Sequence, residues 1–196
     1  MPLGRPIEFN PDHVVNAAMQ AFWSKGYEAT SLTDLLAATG LSKSSFYQSF
    51  GGKQQMFGRC ITTYVDQMVG KFQSQLADEA SPLAFVRATL TAIASEGADT
   101  RSPLGCLVMN TASEFGRRDP AFSGWVDDGM ARVGTVMEAA LARAQALGEV
   151  AATQPPAVQA AYVMSSIAGL RTMVKAGTPL PMMLSVVDMV TASLRR

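Results

Sequence analysis

The stretch Thr30-Ser31-Leu32-Thr33-Asp34-Leu35-Leu36-Ala37-Ala38-Thr39-Gly40-Leu41-Ser42-Lys43-Ser44-Ser45-Phe46-Tyr47-Gln48 decides how the first part of the chain folds. Ser31 followed three residues later by Asp34 resembles a capping box, which satisfies the free amides at a helix start. Leu32, Leu35 and Leu36 give that helix an apolar face, and Thr39-Gly40 ends it. Ser42 then caps a second short helix. Only Gly40-Leu41-Ser42 joins the two, and glycine adopts the backbone geometry that such a corner needs. Leu41 and Phe46 can lock the corner from inside, with Phe50 packing below. This is helix-turn-helix spacing. The outward face of the second helix carries Lys43, Ser44, Ser45, Tyr47 and Gln48, small or polar residues that allow close entry into a major groove.

Working outward, Asn10 caps a preceding helix, Pro11 suits its first position and Asp12 suits its positive end. Val14, Ala18, Ala21 and Phe22 recur at helical spacing, and Gly26 stops the run. Beyond Gly51-Gly52 a long helix is predicted from Lys53 to about Ala77. Ser81-Pro82 opens another to about Gly97. Ser102-Pro103 opens a shorter one through Cys106 and Met109, Asp119-Pro120 one ending near Gly148, and Pro155-Pro156 one to Gly177. Pro179 to Pro181 precedes the last. No hairpin signal separates alternating runs. The fold class is all-α with about nine helices. The organisation is a helix-turn-helix domain over 1–52 and a second domain over 53–196.

With 196 residues, 48% of them hydrophobic and 16% charged, the chain can bury a real core. Sixteen basic residues balance sixteen acidic ones, so a polybasic coat is excluded and any nucleic-acid contact must come from a shaped local surface. Cys60 and Cys106 are too few for a disulfide framework. The most apolar run, Ala157 to Leu170, falls short of the roughly 20 residues that span a bilayer, and no secretory leader is visible. A cytoplasmic protein without membrane contact is expected. One histidine, His13, with two distant cysteines gives no metal-ligand spacing. Neither a phosphate-binding glycine loop nor a nucleophile elbow is present. No cofactor and no enzymatic activity are expected.

The ordered set Ala17-Ala18, Phe22, Gly26-Tyr27, Thr30-Ser31, Leu35, Gly40-Leu41-Ser42-Lys43, Phe46-Tyr47, Phe50 and Lys53 resembles the TetR/AcrR family of bacterial transcriptional regulators. The resemblance covers about a quarter of the chain directly, and the remaining helices fit that family's ligand-binding, dimer-forming body. It implies a repressor that leaves double-stranded operator DNA when an effector enters the body. It also implies phosphate contacts from Thr30, Lys43, Tyr47 and Lys53, base contacts from Ser44, Ser45 and Gln48, and either kind from Thr33. Phosphate contacts fix register and base contacts carry specificity. Two features depart from the pattern. Gly52 stands where Ser is common, and Arg5 alone makes a thin basic arm. Thr30, Ser31 and Ser42 also read as ordinary helix caps.

The helix from Ala157 is apolar almost all round, with Ile167, Leu170 and Val174 along it, so it must be covered on both sides. The last helix carries Leu184, Val187, Thr191 and Leu194 on one face. Two copies of this helix pair would form a four-helix interface, which predicts a homodimer whose reading helices lie about 34–36 Å apart. Ordinary core packing is the alternative. Met68, Phe72, Met109, Phe115, Trp125 and Tyr162 are candidates for a small-molecule pocket, although core filling explains each one as well.

Cys106 is expected in the first turn of a helix capped by Ser102, where the dipole favours thiolate. Gly105-Cys106-Leu107 with Lys175 resembles the NemR-like, electrophile-sensing branch of the family. Carried over, Cys106 would be the modified residue and Lys175 its partner; a small buried hydrophobe is the alternative. The leading expectation is a homodimeric repressor released by a small apolar or electrophilic effector. An all-helical small-molecule-binding or enzymatic domain without specific DNA binding is the alternative, and an activator on the same scaffold is a third.

Overall fold

The computed structural model describes residues 9–99 and 104–195, and among these the chain is helical throughout. The order is α1 Pro11–Lys25, α2 Leu32–Thr39, α3 Lys43–Phe50, α4 Lys53–Asp78, α5 Pro82–Asp99, α6 Leu107–Phe115, α7 Pro120–Ala146, α8 Pro156–Lys175 and α9 Leu180–Ser193. The all-α expectation holds. Arg5, Ser102 and Pro103 lie outside the described residues.

Two compact units part between Tyr64 and Val65, inside α4. The first three turns of α4 therefore belong to the head. They do so because Phe57, Cys60, Ile61 and Tyr64 bury their side chains there. Phe57 meets Phe22 edge-on at 4.8 Å and Tyr27 at 5.0 Å, and Tyr64 meets Trp23 at 5.0 Å. Cys60 is fully buried with Sγ 3.6 Å from the Val15 carbonyl, and burial pushes its thiol up to about 12. It is a core residue, with no thiolate to offer at neutral pH.

The start signals of the head form as expected. The Asn10 side chain accepts from the amides of Asp12 and His13. Ser31 and Asp34 complete a reciprocal capping box, and Ser42 accepts from the Ser45 amide. Gly40 turns the corner at φ +68°. Phe46 is fully sealed and Phe50 is buried below it, whereas Leu41 is half-buried.

In the second unit, residues of α5, α7, α8 and α9 make one continuous core around Leu90, Met137, Leu141, Leu170 and Met183. Gly129 on α7 admits the side chains of Val65 and Val108, which would lie 3.0 and 3.2 Å from a β-carbon placed there. Polar clips close the helix ends. Arg143 donates to the carbonyl of Leu76 in the last turn of α4 and to those of Glu79 and Ala80 just beyond it, and Glu149 accepts from the Leu83 amide at the start of α5.

One helix start differs from expectation. α6 begins at Leu107, so Cys106 is its extended N-cap residue (φ −97°, ψ 125°) rather than a member of the first turn. The bend is set by Gly105 at φ +74°, which holds 105–106 out of the helix.

Candidate nucleic-acid interface and effector cavity

In the first unit, α3 presents Lys43, Ser44, Tyr47 and Gln48 to solvent, and Tyr47 is 47% exposed. Phe46 and Phe50 occupy the opposite face and hold the helix on the head. Thr33 is exposed on α2. Ser45 is half-buried and its hydroxyl lies 2.9 Å from that of Ser42, so it is engaged at the helix start. Lys53 is positioned at the start of α4. Its Nζ sits 4.2 Å from the centroid of the Tyr27 ring and donates to the Glu28 carbonyl at 3.5 Å. A cation over an aromatic face is held without losing its charge. The α3 surface is therefore a rigid row of hydroxyl, amide and ammonium donors, which suits phosphates and base edges.

Thr30 departs from the expected surface. It is buried, and its hydroxyl donates to the Gly26 carbonyl at 2.6 Å. Its side chain ties the α1–α2 turn together and faces inward. Asp34 adds charge control beside that turn. Lys25 at 2.6 Å and the Ser31 hydroxyl and amide hold its carboxyl well below the usual carboxylate range.

The second unit holds a cavity of about 30 Å³. A cavity of this size holds a water or two, and anything larger requires side chains to move. Met68, Phe72 and Met109 line it as expected, joined by Met130, Met164, Ile93, Ile167, Val108, Val133, Ala168 and Gly129. Four methionines make this wall adaptable. Phe115 and Trp125 do not line it. Phe115 stacks on Phe122 with centroids 3.9 Å apart, and Trp125 meets Phe122 edge-on. Tyr162 is absent from the wall as well. It stands on the outer side of α8, within 3.2 Å of the Ser193 hydroxyl.

Cys106 lines the cavity and is buried. Lys175 reaches the same segment. Its Cε lies 2.6 Å from where a β-carbon on Gly105 would stand, and its Nζ donates to Asn110 Oδ1 at 2.6 Å. Asn110 in turn donates to the Leu104 carbonyl. The cysteine and lysine that the sequence paired are thus brought to one corner of the unit. Sequence reasoning missed Arg171, which lines the cavity and is ion-paired to Glu96 at 2.8 Å. The signal was available: it is the first charge after an uncharged run from Ala157, and a charge in a buried helix needs a partner.

Five of the seven residues expected at a dimer interface turn inward. Leu170, Val174, Val187, Thr191 and Leu194 are buried within this chain's own core, because α5 and α7 cover that side of α8 and α9. Ile167 and Leu184 are half-buried against the same core. The uncovered apolar residues are different ones: Val158 and Tyr162 on α8, and Met182 and Met189 on α9, with Met189 73% exposed. Among the described residues no group of three or more His, Cys, Asp or Glu could hold a metal, and no helix is long and apolar enough to cross a membrane.

Residues 14–60 match the model of bacterial regulatory proteins of the tetR family. Residues 82–183, more than half the chain, match the tetracyclin repressor-like C-terminal domain. The chain is 35% identical over 111 residues to the HTH-type transcriptional repressor ComR of Escherichia coli, a stretch covering 56% of this chain and 53% of ComR. A cysteine mutant of the TetR family regulator CifR, complexed with 26bp double-strand operator DNA, is 25% identical. It superposes with a TM-score of 0.83 over 96% of this chain and 99% of its own. Reduced NemR of E. coli, 17% identical, shares the fold with a TM-score of 0.82 over 93% of this chain and 96% of its own.

Proposed function

The chain belongs to the TetR family of bacterial regulatory proteins, and from that premise we propose that it is a cytoplasmic, homodimeric, non-enzymatic repressor. Its first unit holds double-stranded operator DNA, and a small apolar or electrophilic effector in the second unit releases it. The observation that carries this reading is the α3 surface: Lys43, Ser44, Tyr47 and Gln48 point outward from a helix whose other face is sealed by Phe46 and Phe50. The likeness to CifR, which was determined on its operator, supports it. Thr33 and Lys53 flank the reading helix as phosphate contacts. Thr30 acts from behind, by fixing the turn.

Val158, Tyr162, Met182 and Met189 form the dimer contact, since these apolar side chains are left uncovered by the chain itself. Two copies joined there set the groove spacing of the two α3 helices. The boundary between the units falls inside α4, so a shift of α4 in the second unit is felt in the first. The effector must bind the DNA-incompetent arrangement better than the competent one, or no release follows. Cys106 is the point of attack for an electrophile, because it is the one thiol on the cavity wall.

The test is binding of the purified protein to genomic DNA fragments, including its own upstream region, across a salt series. Phosphate contacts make affinity fall steeply with salt. Treatment with N-ethylmaleimide should abolish binding, and Cys106→Ser should bind DNA normally while ignoring the reagent. Absence of sequence-specific binding to any fragment would overturn the repressor reading. A Cys106→Ser protein that still responds would overturn the thiol part alone.

A further inference from the structure

Arg171 is the one charged residue on a cavity wall otherwise built from methionine, aromatic, aliphatic and small side chains and the Cys106 thiol. Its side chain is 14% exposed, and Nη1 donates to Glu96 Oε2 at 2.8 Å. A guanidinium has five N–H donors in a fixed fork. Among the described residues Glu96 takes Nη1 alone, so Nε and Nη2 have donor capacity to spare. Glu96 also puts a negative charge beside the guanidinium. The corner therefore combines strong donors with a charge already answered.

We propose that the effector is a neutral apolar molecule with a single carbonyl acceptor. The carbonyl docks on Arg171, and Glu96 selects against carboxylates. This deepens the reading of the cavity as the effector site and rests on it. The physical basis is a difference between two ligand types. A carbonyl accepts from the spare N–H groups while the Arg171–Glu96 pair stays intact, and hydrogen bonds to a charged donor are the stronger kind. A carboxylate either meets Glu96 as a like charge beside the guanidinium or must displace it from Arg171, and both are costly. A hydrocarbon of the same shape forgoes the hydrogen bond altogether. The four methionines let the wall open around a ring of either kind, so shape does not decide among them.

Acetophenone, ethylbenzene and benzoate are matched in ring and size, none alkylates a thiol, and they differ in the one property at issue. Calorimetric titration of the purified protein with each should give acetophenone at least about tenfold tighter than the other two. Arg171→Met should bring acetophenone down to the ethylbenzene value measured on the same variant. Glu96→Gln, at a partly exposed position that tolerates it, should improve benzoate by about tenfold by leaving the guanidinium charge unanswered. Binding of all three with no preference for acetophenone, a preference for benzoate in the unmodified protein, or a Glu96→Gln protein that gains nothing for benzoate would each overturn the proposal while leaving the cavity as effector site. Failure of all three compounds to bind would overturn both.

Discussion

The head and the body are both all-helical, yet their sequences encode them differently. In the head, short helices of 15, 8 and 8 residues are closed by local chemistry, with Asn10, Ser31 and Ser42 at the starts and Gly26, Gly40 and Gly51 at the ends. Each cap lies within a few residues of the group it satisfies. In the body, helices of 18, 27 and 20 residues are held by faces that meet across the chain. Its polar clips join residues more than sixty positions apart, as Arg132 to Asp66, Arg143 to Leu76 and Arg171 to Glu96 do. Local signals specify a small domain almost completely, whereas a layered helical body is specified by which faces find each other.

The largest expected effect tests how far the head depends on a few sealed side chains. Phe46 is fully buried and meets Phe50 at 5.9 Å and Tyr47 at 6.0 Å. Phe46→Ala should cost about 3–5 kcal/mol and loosen α3. Circular dichroism melting should show the head transition lowered or lost while the body transition stays, and DNA binding should disappear. A single transition that shifts as a whole would show that the two units do not unfold separately.

A smaller effect separates surface from scaffold. Gln48→Ala removes an exposed amide from the reading face and should cost about 1–3 kcal/mol of specific DNA binding with no change in melting temperature. Lys53→Ala should weaken binding to every sequence alike and lower the salt slope by about 1. A loss of specificity from Lys53→Ala, or a uniform loss from Gln48→Ala, would reverse the assignment of base and phosphate roles.

This contrast explains what could be read in advance. The head's helix bounds, caps and outward α3 face were legible, because each depends on neighbours in sequence. Thr30 was misplaced for an instructive reason. A threonine before a capping serine looks like a surface group, but its hydroxyl found the Gly26 carbonyl and turned inward. In the body the starts of α5, α7, α8 and α9 were legible from prolines, yet the faces were not. Leu170, Val174 and Val187 read as a stripe that needs a partner, and α5 within the same chain supplies one. Periodicity tells that a face is buried and not by what. The true uncovered residues, Met182 and Met189, look like core in any pattern reading. Cys106 fell one residue outside its helix because Gly105 takes a positive φ, which no hydrophobic pattern records.

Gly40 and Gly105 allow a matched comparison between the regions. Their φ values, +68° and +74°, carry the same backbone penalty for a residue with a β-carbon, about 1–2 kcal/mol. Around Gly40 nothing lies within 4 Å of such a carbon, while at Gly105 it would meet Lys175 Cε at 2.6 Å. Gly40→Ala should therefore cost the backbone term alone. Gly105→Ala should cost that term and also drive Lys175 off Asn110, which is read as faster modification of Cys106 by N-ethylmaleimide. Unchanged thiol reactivity would show that the lysine stem simply swings aside.

The smallest expected effect lies at Asp34, where the head's local chemistry meets charge. Lys25, then the Ser31 side chain and amide, hold its folded-state carboxyl far below the ordinary value of 3.8. A carboxylate with a depressed folded pKa contributes stability that is fully present above the unfolded value and is lost as pH falls toward the folded one. The head's melting temperature should therefore be flat above about pH 5 and decline below about pH 4, and the difference between the native protein and Asp34→Asn should close over the same window. Lys25 and Asp34 are both solvent-accessible, so the lysine share should shrink in high salt while the capping-box share remains. If added salt erased the whole pH dependence, the box would contribute nothing through the charge of Asp34, and the head would owe its α2 start to the Ser31 hydroxyl alone.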